Sequence, residues 1–163
     1  MKSERIVLAV DPGYVAAGYA IVRIAQRRVF LCECNALRQK STQTIEQRLA
    51  LFFDFFHEKI MEHGVTDLCL ETPFLGKNAQ NFLKLGYLRG ALLIHATRQN
   101  LGIHQLSPRE IKVQMTGFGG ADKDQVARAV ARFFPMIDLP SLPRDATDAL
   151  ALAFCVVSSP RFG

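Results

Sequence analysis

Four carboxylates carry the chemistry that this chain can be expected to do. Asp11 ends the apolar run at residues 6–10 and is followed at once by Pro12 and Gly13, so it stands at the lip of a strand that must stop there. Glu71 ends a second apolar run, LCLE, again at a strand end. Asp145 and Asp148 in PRDATDALALAF are three apart, a spacing that puts both on one face of a helix. Taken singly, Asp11 is explained as a turn residue and Asp145 as a helix-start residue. Glu71 has no turn role. If the fold brings all four to one edge, each pair about 6 Å apart repels by roughly 3 kcal/mol at an effective dielectric near 20. Such a cluster needs a countercharge, and magnesium, a hard cation that takes a few carboxylates and phosphate oxygens, supplies it.

The elements that must position these acids follow from pattern. Residues 6–10, 18–24 and 28–35 read as three consecutive strands with short connections, an antiparallel meander. Ile45, Leu49, Phe52, Phe56 and Ile60 then recur at helical spacing, with Ser41 or Thr42 as the expected cap and Gly64 as the stop. A fourth strand at 68–72, a long helix over about 78–100 and a fifth strand at 103–106 follow. Three helices close the chain, at about 108–115, 123–134 and 144–157, the second announced by the capping pair Asp122 and Gln125. The expected fold class is α/β: a five-stranded mixed sheet, three antiparallel strands then two parallel, with helices on both faces. A helical crossover between the first and fourth strands makes them parallel neighbours, which sends Asp11 and Glu71 to the same end. The alanines and leucines behind Asp148 let the last helix lie close against the sheet.

Composition narrows the class. The 163 residues are about half hydrophobic, and no repeat, low-complexity tract or linker divides them, so one domain over 1–163 is expected. The N-terminal apolar run is too short for a signal peptide and no run approaches membrane-spanning length, which with four cysteines lacking any CxxC pair points to a reduced cytoplasmic protein. Cys32 and Cys34 alternate as on one buried strand face. The histidines, His57, His63, His95 and His104, are read as scattered, with no zinc set among them. Net charge is +5, and the excess lies at residues 77–132, where nine Lys/Arg face three Asp/Glu. That stretch is either a solvated basic face or a phosphate-backbone surface. The TGFGG loop opens onto a helix N-terminus, where its amides either meet a phosphate or merely form a flexible connection. Gly86 and Gly90, four apart in the long helix, leave a stripe almost without side chains. It either packs on the protein's own sheet or pairs with the same helix of a second copy.

In order and spacing, VDPGYVAAGYAIV, LETPFLGKNAQNFLKLGYLRGALL, SPREIKVQMTGFGGADKDQV and DATDALALA resemble the RuvC family of Holliday junction resolvases, over residues from about 5 to 157. The resemblance implies a ribonuclease-H-like nuclease domain, a homodimer, and magnesium-dependent paired nicking of four-way DNA junctions in recombination and repair. Two Mg2+ ions per active site are implied, with Mn2+ as a substitute, and so is partnership with the RuvA and RuvB branch-migration proteins. The family's acidic quartet falls on Asp11, Glu71, Asp145 and Asp148 as catalytic residues and metal ligands. Its junction-contacting aromatic falls on Phe74, its two active-site lysines on Lys112 and Lys123, and Lys77 and Asn78 lie beside the aromatic as further DNA contacts. Ala20 and Thr147 depart from the family's usual glycine and alanine.

The implied reaction is in-line phosphodiester hydrolysis, one metal ion activating the water and the other stabilising the leaving 3′-oxygen. Lys112 and Lys123 are expected to stabilise charge on the scissile phosphate. Another nuclease of the same fold, such as a ribonuclease H or a shorter resolvase-like protein, would keep the acids and change the substrate. A non-catalytic junction binder would bind without nicking. An actin-like or sugar-kinase ATPase would need a second domain.

Overall fold

The computed structural model describes residues 4–26, 28–73, 78–135 and 137–158. Strands β1 (Arg5–Asp11), β2 (Ala16–Ala25) and β3 (Arg28–Arg38) lead into helix α1 (Ile45–His63), then β4 (Asp67–Glu71), α2 (Ala79–Arg98) and β5 (Gly102–Leu106). Helices α3 (Pro108–Thr116), α4 (Lys123–Phe133) and α5 (Arg144–Ser158) complete the order, with a short 3-10 turn at Leu139–Ser141. The sheet order is β3-β2-β1-β4-β5; β1, β2 and β3 pair antiparallel, and β4 pairs parallel with both β1 and β5. This is the mixed sheet expected from the sequence.

Strand β1 is central and buried on both sides, and its alternation splits the core in two. Val7 and Ala9, with Ala20, Val22 and Cys69, face a layer formed by α3, α4 and α5. Leu8 and Val10, with Tyr19, Ile21, Leu68 and Leu70, face α1 and α2, where Phe52, Phe56, Leu88 and Leu92 meet them. Ala20, the residue departing from glycine, has its methyl fully buried under α5.

Two local features differ from expectation, and a third bears on an alternative left open. Helix α1 is capped by Thr44, whose hydroxyl accepts the Gln47 N–H while the Gln47 side chain accepts the Thr44 N–H. The Thr-x-x-Gln box therefore outcompetes Ser41 and Thr42, which offer no reciprocal partner at the third helical position. In β3, Ile21 pairs with Glu33 and Val22 with Leu31, which leaves Cys32 as the extra residue of a bulge. Cys32 is consequently exposed, whereas Cys34 is half-buried with its thiol 3.5 Å from the Ala146 carbonyl under α5. Finally, a Cβ built at Gly86 or Gly90 meets nothing within 4 Å, so the glycine stripe of α2 faces away from the sheet. Leu83, Tyr87 and Ile94 are exposed, and at 100° per residue they share that outer face.

Candidate active site

The parallel register of β1 on β4 runs Val7↔Asp67 to Val10↔Leu70, so the next step sets Asp11 beside Glu71. Odd-numbered residues of both strands face the α5 side, as Val7, Ala9 and Cys69 do. Asp11 and Glu71 therefore project from neighbouring strand ends toward the same helix. On the other flank Asp11 pairs with Gly18 of β2, and this glycine decides where α5 sits. A Cβ at Gly18 would overlap the backbone of Asp145 and Ala146, so the first turn of α5 lies flush on the β2 backbone. Ala146, Ala149 and Ala153 continue that close seat. Asp145 and Asp148 are thereby carried to the strand ends that hold Asp11 and Glu71.

Electrostatics registers the convergence. Burial, then the charges of Glu71, Asp148 and Asp145, push the Asp11 carboxyl up to about 7, against an opposing pull from Lys123. Glu71 is raised by burial and by Asp148, while Lys123, Arg89 and Lys112 pull it down. Lys123 makes a direct contact: its Nζ donates to Asp148 Oδ2 at 3.0 Å. The hydrogen bond to Asp148 in turn raises the lysine, outweighing its own partial burial. Asp122 caps α4 with Gln125, and this fixes Lys123 as the first helical residue, at the cleft rather than on the outer turns.

Asp11, Glu71, Asp148, Lys112 and Lys123 line one cleft of about 260 Å³, floored by Ile111, Val126 and Ala151. A second hollow of about 230 Å³ adjoins it across Asp11 and Glu71, bounded by Pro12, Pro73 and Arg89. Asp145 couples electrostatically to Asp11 and Lys123. Among the remaining expected contacts, Asn78 is the N-cap of α2, its Oδ1 accepting the Asn81 N–H at 3.0 Å. Phe74 and Lys77 lie outside the described residues.

Two buried arginines went unrecognised in the sequence. Arg48, 4 % exposed, donates to the carbonyls of Tyr14 (2.7 Å), Lys40 (2.8 Å) and Gln43 (3.3 Å), with its guanidinium over the Tyr14 ring. It thus ties down the turn that leaves Asp11. Arg89, 7 % exposed, donates to the main-chain carbonyl of Glu71 and, at 2.6 Å, to Gln105 Oε1. It fixes the end of β4 against α2. Each arginine interrupts an apolar helical stripe, and that interruption was a readable signal.

The histidines are less scattered than their spacing suggests. His57 Nδ1 and His95 Nε2 lie 3.3 Å apart between α1 and α2, and His95 is lowered by burial and by His57. His63 joins Glu33 and Glu62 in a group whose ligand atoms lie within 4.8 Å of one another. Lys59 offsets part of that group's charge, bonding Glu33 at 2.9 Å and Glu62 at 3.3 Å, and the Tyr19 hydroxyl donates to Glu33 at 2.5 Å.

The protein-family model described as crossover junction endodeoxyribonuclease RuvC matches residues 7–156. The crossover junction endodeoxyribonuclease RuvC of Prosthecochloris aestuarii is 40 % identical over 150 residues, covering 92 % of this chain and 80 % of that protein. The RuvC of Solidesulfovibrio magneticus is 37 % identical over 158 residues, covering 97 % and 92 %. Among solved structures, Thermus thermophilus RuvC in complex with Holliday junction substrate superposes with a TM-score of 0.83 at 22 % identity, over 93 % of this chain and 92 % of that one. The yeast mitochondrial Holliday junction resolvase shares the fold at a TM-score of 0.70 and 12 % identity, over 93 % and 77 %. With its mixed sheet and its acids at adjoining strand ends, this chain belongs to the RuvC family of crossover junction endodeoxyribonucleases.

Proposed function

We propose that the protein is a structure-selective endonuclease that resolves four-way DNA junctions by paired, magnesium-dependent nicks in recombination and repair. The supporting observation is a single cleft holding Asp11, Glu71 and Asp148 together with Lys112 and Lys123. The donor set suits a hard divalent cation: carboxylates only, on rigid elements, two of them raised by burial and neighbouring acids, a penalty that a +2 charge removes. Asp11, Glu71, Asp145 and Asp148 would hold the magnesium, two ions per site, with manganese able to replace it. When bound, these ions supply water activation and stabilise the leaving 3′-oxygen. Lys123 holds the Asp148 carboxylate and, with Lys112, presents positive charge to the scissile phosphate. Arg48 and Arg89 keep the two strand ends in place. Phe74, Lys77 and Asn78 are assigned to the junction strands by family resemblance.

Two matched nicks need two matched sites, and the outer stripe of α2 suits a two-fold dimer. Leu83, Tyr87 and Ile94 are exposed along it, and the open Gly86 and Gly90 let a second helix approach closely. Leu83→Glu with Tyr87→Glu should yield a monomer by analytical ultracentrifugation and uncouple the second nick from the first. A wild-type chain that is monomeric at micromolar concentration and fully active overturns the dimer. Family resemblance extends the partners to RuvA and RuvB and the setting to the cytoplasm. Among the described residues, no helix is long and apolar enough to cross a membrane.

The deciding assay compares a four-way junction with matched duplex and RNA–DNA hybrid, with magnesium and with chelator. Symmetrical nicks confined to the junction and dependent on the metal are expected. Preference for the hybrid would indicate a ribonuclease H, and binding without nicking a junction-binding protein.

A further inference from the structure

We propose that Phe118 is a stacking platform for a nucleobase of the bound junction strand, placed beside the cleft by the loop between α3 and α4. This rests on the DNA-cleaving reading above and adds a contact that the acids and lysines do not provide. Phe118 is 63 % exposed, an unusual position for a phenylalanine, and belongs to neither core half. Its backbone is nevertheless held firmly. Gly117, in the left-handed region at φ 78, ends α3 and donates to the Val113 carbonyl at 2.8 Å. Thr116 Oγ1 accepts the Phe118 N–H at 3.2 Å and lies 3.1 Å from the Phe118 carbonyl, which also accepts the Ala121 N–H at 3.1 Å. Gly119 is seated against Arg109 and Val113, where an added Cβ would lie 3.0 Å from Arg109 Cγ. The ring itself lies over Gly120, whose Cβ would come within 2.6 Å of it. The loop therefore displays the ring outward on a hydrogen-bonded, closely seated base.

The surroundings say what it displays the ring to. The two helices joined by this loop carry Lys112 and Lys123, both in the wall of the cleft, and Arg109 packs beneath the loop. Lys123 is five positions from Phe118, so the two backbones are at most about 18 Å apart. That is within roughly five steps of a nucleic-acid strand at about 3.4 Å each. An exposed aromatic on the loop that joins the two lysine-bearing helices of the cleft matches the pairing of stacking ring and backbone charge by which proteins hold single-stranded or unpaired nucleotides. A polypeptide partner would gain from the ring too, but not from the two lysines in the cleft wall.

The test uses the whole protein with a four-way junction bearing 2-aminopurine at successive positions within five steps of the nick. Phe118→Ala should slow nicking or weaken binding about 5- to 150-fold and abolish the fluorescence change at one or two positions. Tm and the slope of log affinity on log salt should stay unchanged. Phe118→Trp should restore both readouts, and Phe118→Leu neither, since bulk without a π-face does not stack. Wild-type nicking and fluorescence in Phe118→Ala, or full rescue by leucine, overturns the stacking assignment. So does a lower Tm with the fluorescence intact. If the wild type itself leaves the junction uncut, the nuclease reading fails instead, and the 2-aminopurine signals still decide whether the ring meets a base.

Discussion

Strand β4 is five residues long and carries an acid at each end, and the two ends are treated in opposite ways. At its start, Asp67 is met by Arg5 Nη2 and the Thr66 hydroxyl, each at 2.6 Å, and by His104 Nε2 at 2.7 Å. Burial alone would raise its carboxyl, yet His104, Arg5 and Thr66 together hold it well below the ordinary range. At the other end, burial and Asp148 raise Glu71, and the nearby buried Arg89 donates to the Glu71 main-chain carbonyl. Both acids belong to one strand and one sheet. The carboxylate whose charge is matched within the molecule supports the fold; the other keeps an electrostatic deficit that a ligand can relieve. This asymmetry, more than burial, distinguishes the two acids of β4.

The largest expected effect breaks the comparison at the cleft. If these acids hold the metal as proposed, Asp11→Asn or Glu71→Gln should lower nicking about 10³-fold or more, because several kcal/mol of transition-state stabilisation would depend on them. Junction binding should persist, and the metal-free Tm should hold or rise. Parallel loss of binding and Tm would place these acids with Asp67 as structural. The converse substitution, Asp67→Asn, should leave nicking by the folded protein unchanged while removing about 2–3 kcal/mol of stability. Thermal melting should then fall by roughly 4–12 °C.

A finer test sets the two ends against each other by pH in metal-free protein. Asp11 is raised above its ordinary 3.8 to about 7, so its contribution is fully present below pH 3.8 and lost as pH rises through about 7. Asp67 is lowered, so its contribution is present above pH 3.8 and lost on acidification below it. From these two groups, denaturant midpoints should therefore peak near pH 3.8, where Asp67 is ionised and Asp11 still protonated in the folded protein, and fall toward pH 7. Asp11→Asn should flatten the upper arm and Asp67→Asn the lower. An upper arm unmoved by Asp11→Asn would show that the acids do not share one field. The smallest effect concerns cations. Lys123→Ala should flatten the salt dependence of junction affinity by about one unit of slope, whereas Arg5→Ala, at the other end of the sheet, should leave it unaltered.

Much of this arrangement was legible in the sequence, because it follows from strand ends and periodicity. Asp11 and Glu71 each close an apolar run, and a parallel crossover leaves them one place to meet. Asp145 and Asp148 share a helix face by spacing alone. What pattern could not supply was tertiary pairing. Arg48 and Arg89 interrupt their apolar stripes visibly in the sequence, but that they satisfy carbonyls of residues 14, 40 and 71 emerges only from the tertiary structure. The bulge at Cys32 depends on the register between two strands, and the His57–His95 contact on how two helices cross. The outward glycines of α2 were ambiguous for a related reason: a small-residue stripe looks the same whether it meets a sheet or a second molecule.

The bulge in β3 has a practical use. Burial pushes the thiols of Cys34 and Cys155 up to about 12 and raises Cys69 as well, which keeps all three protonated and slow toward electrophiles. Cys32, lifted out of register, is the one exposed thiol of the four. A maleimide dye should therefore attach at a single native position, on the edge strand three places from β4. In a two-fold assembly the label would appear twice, giving a symmetric distance ruler for following junction opening without a cysteine being added or removed.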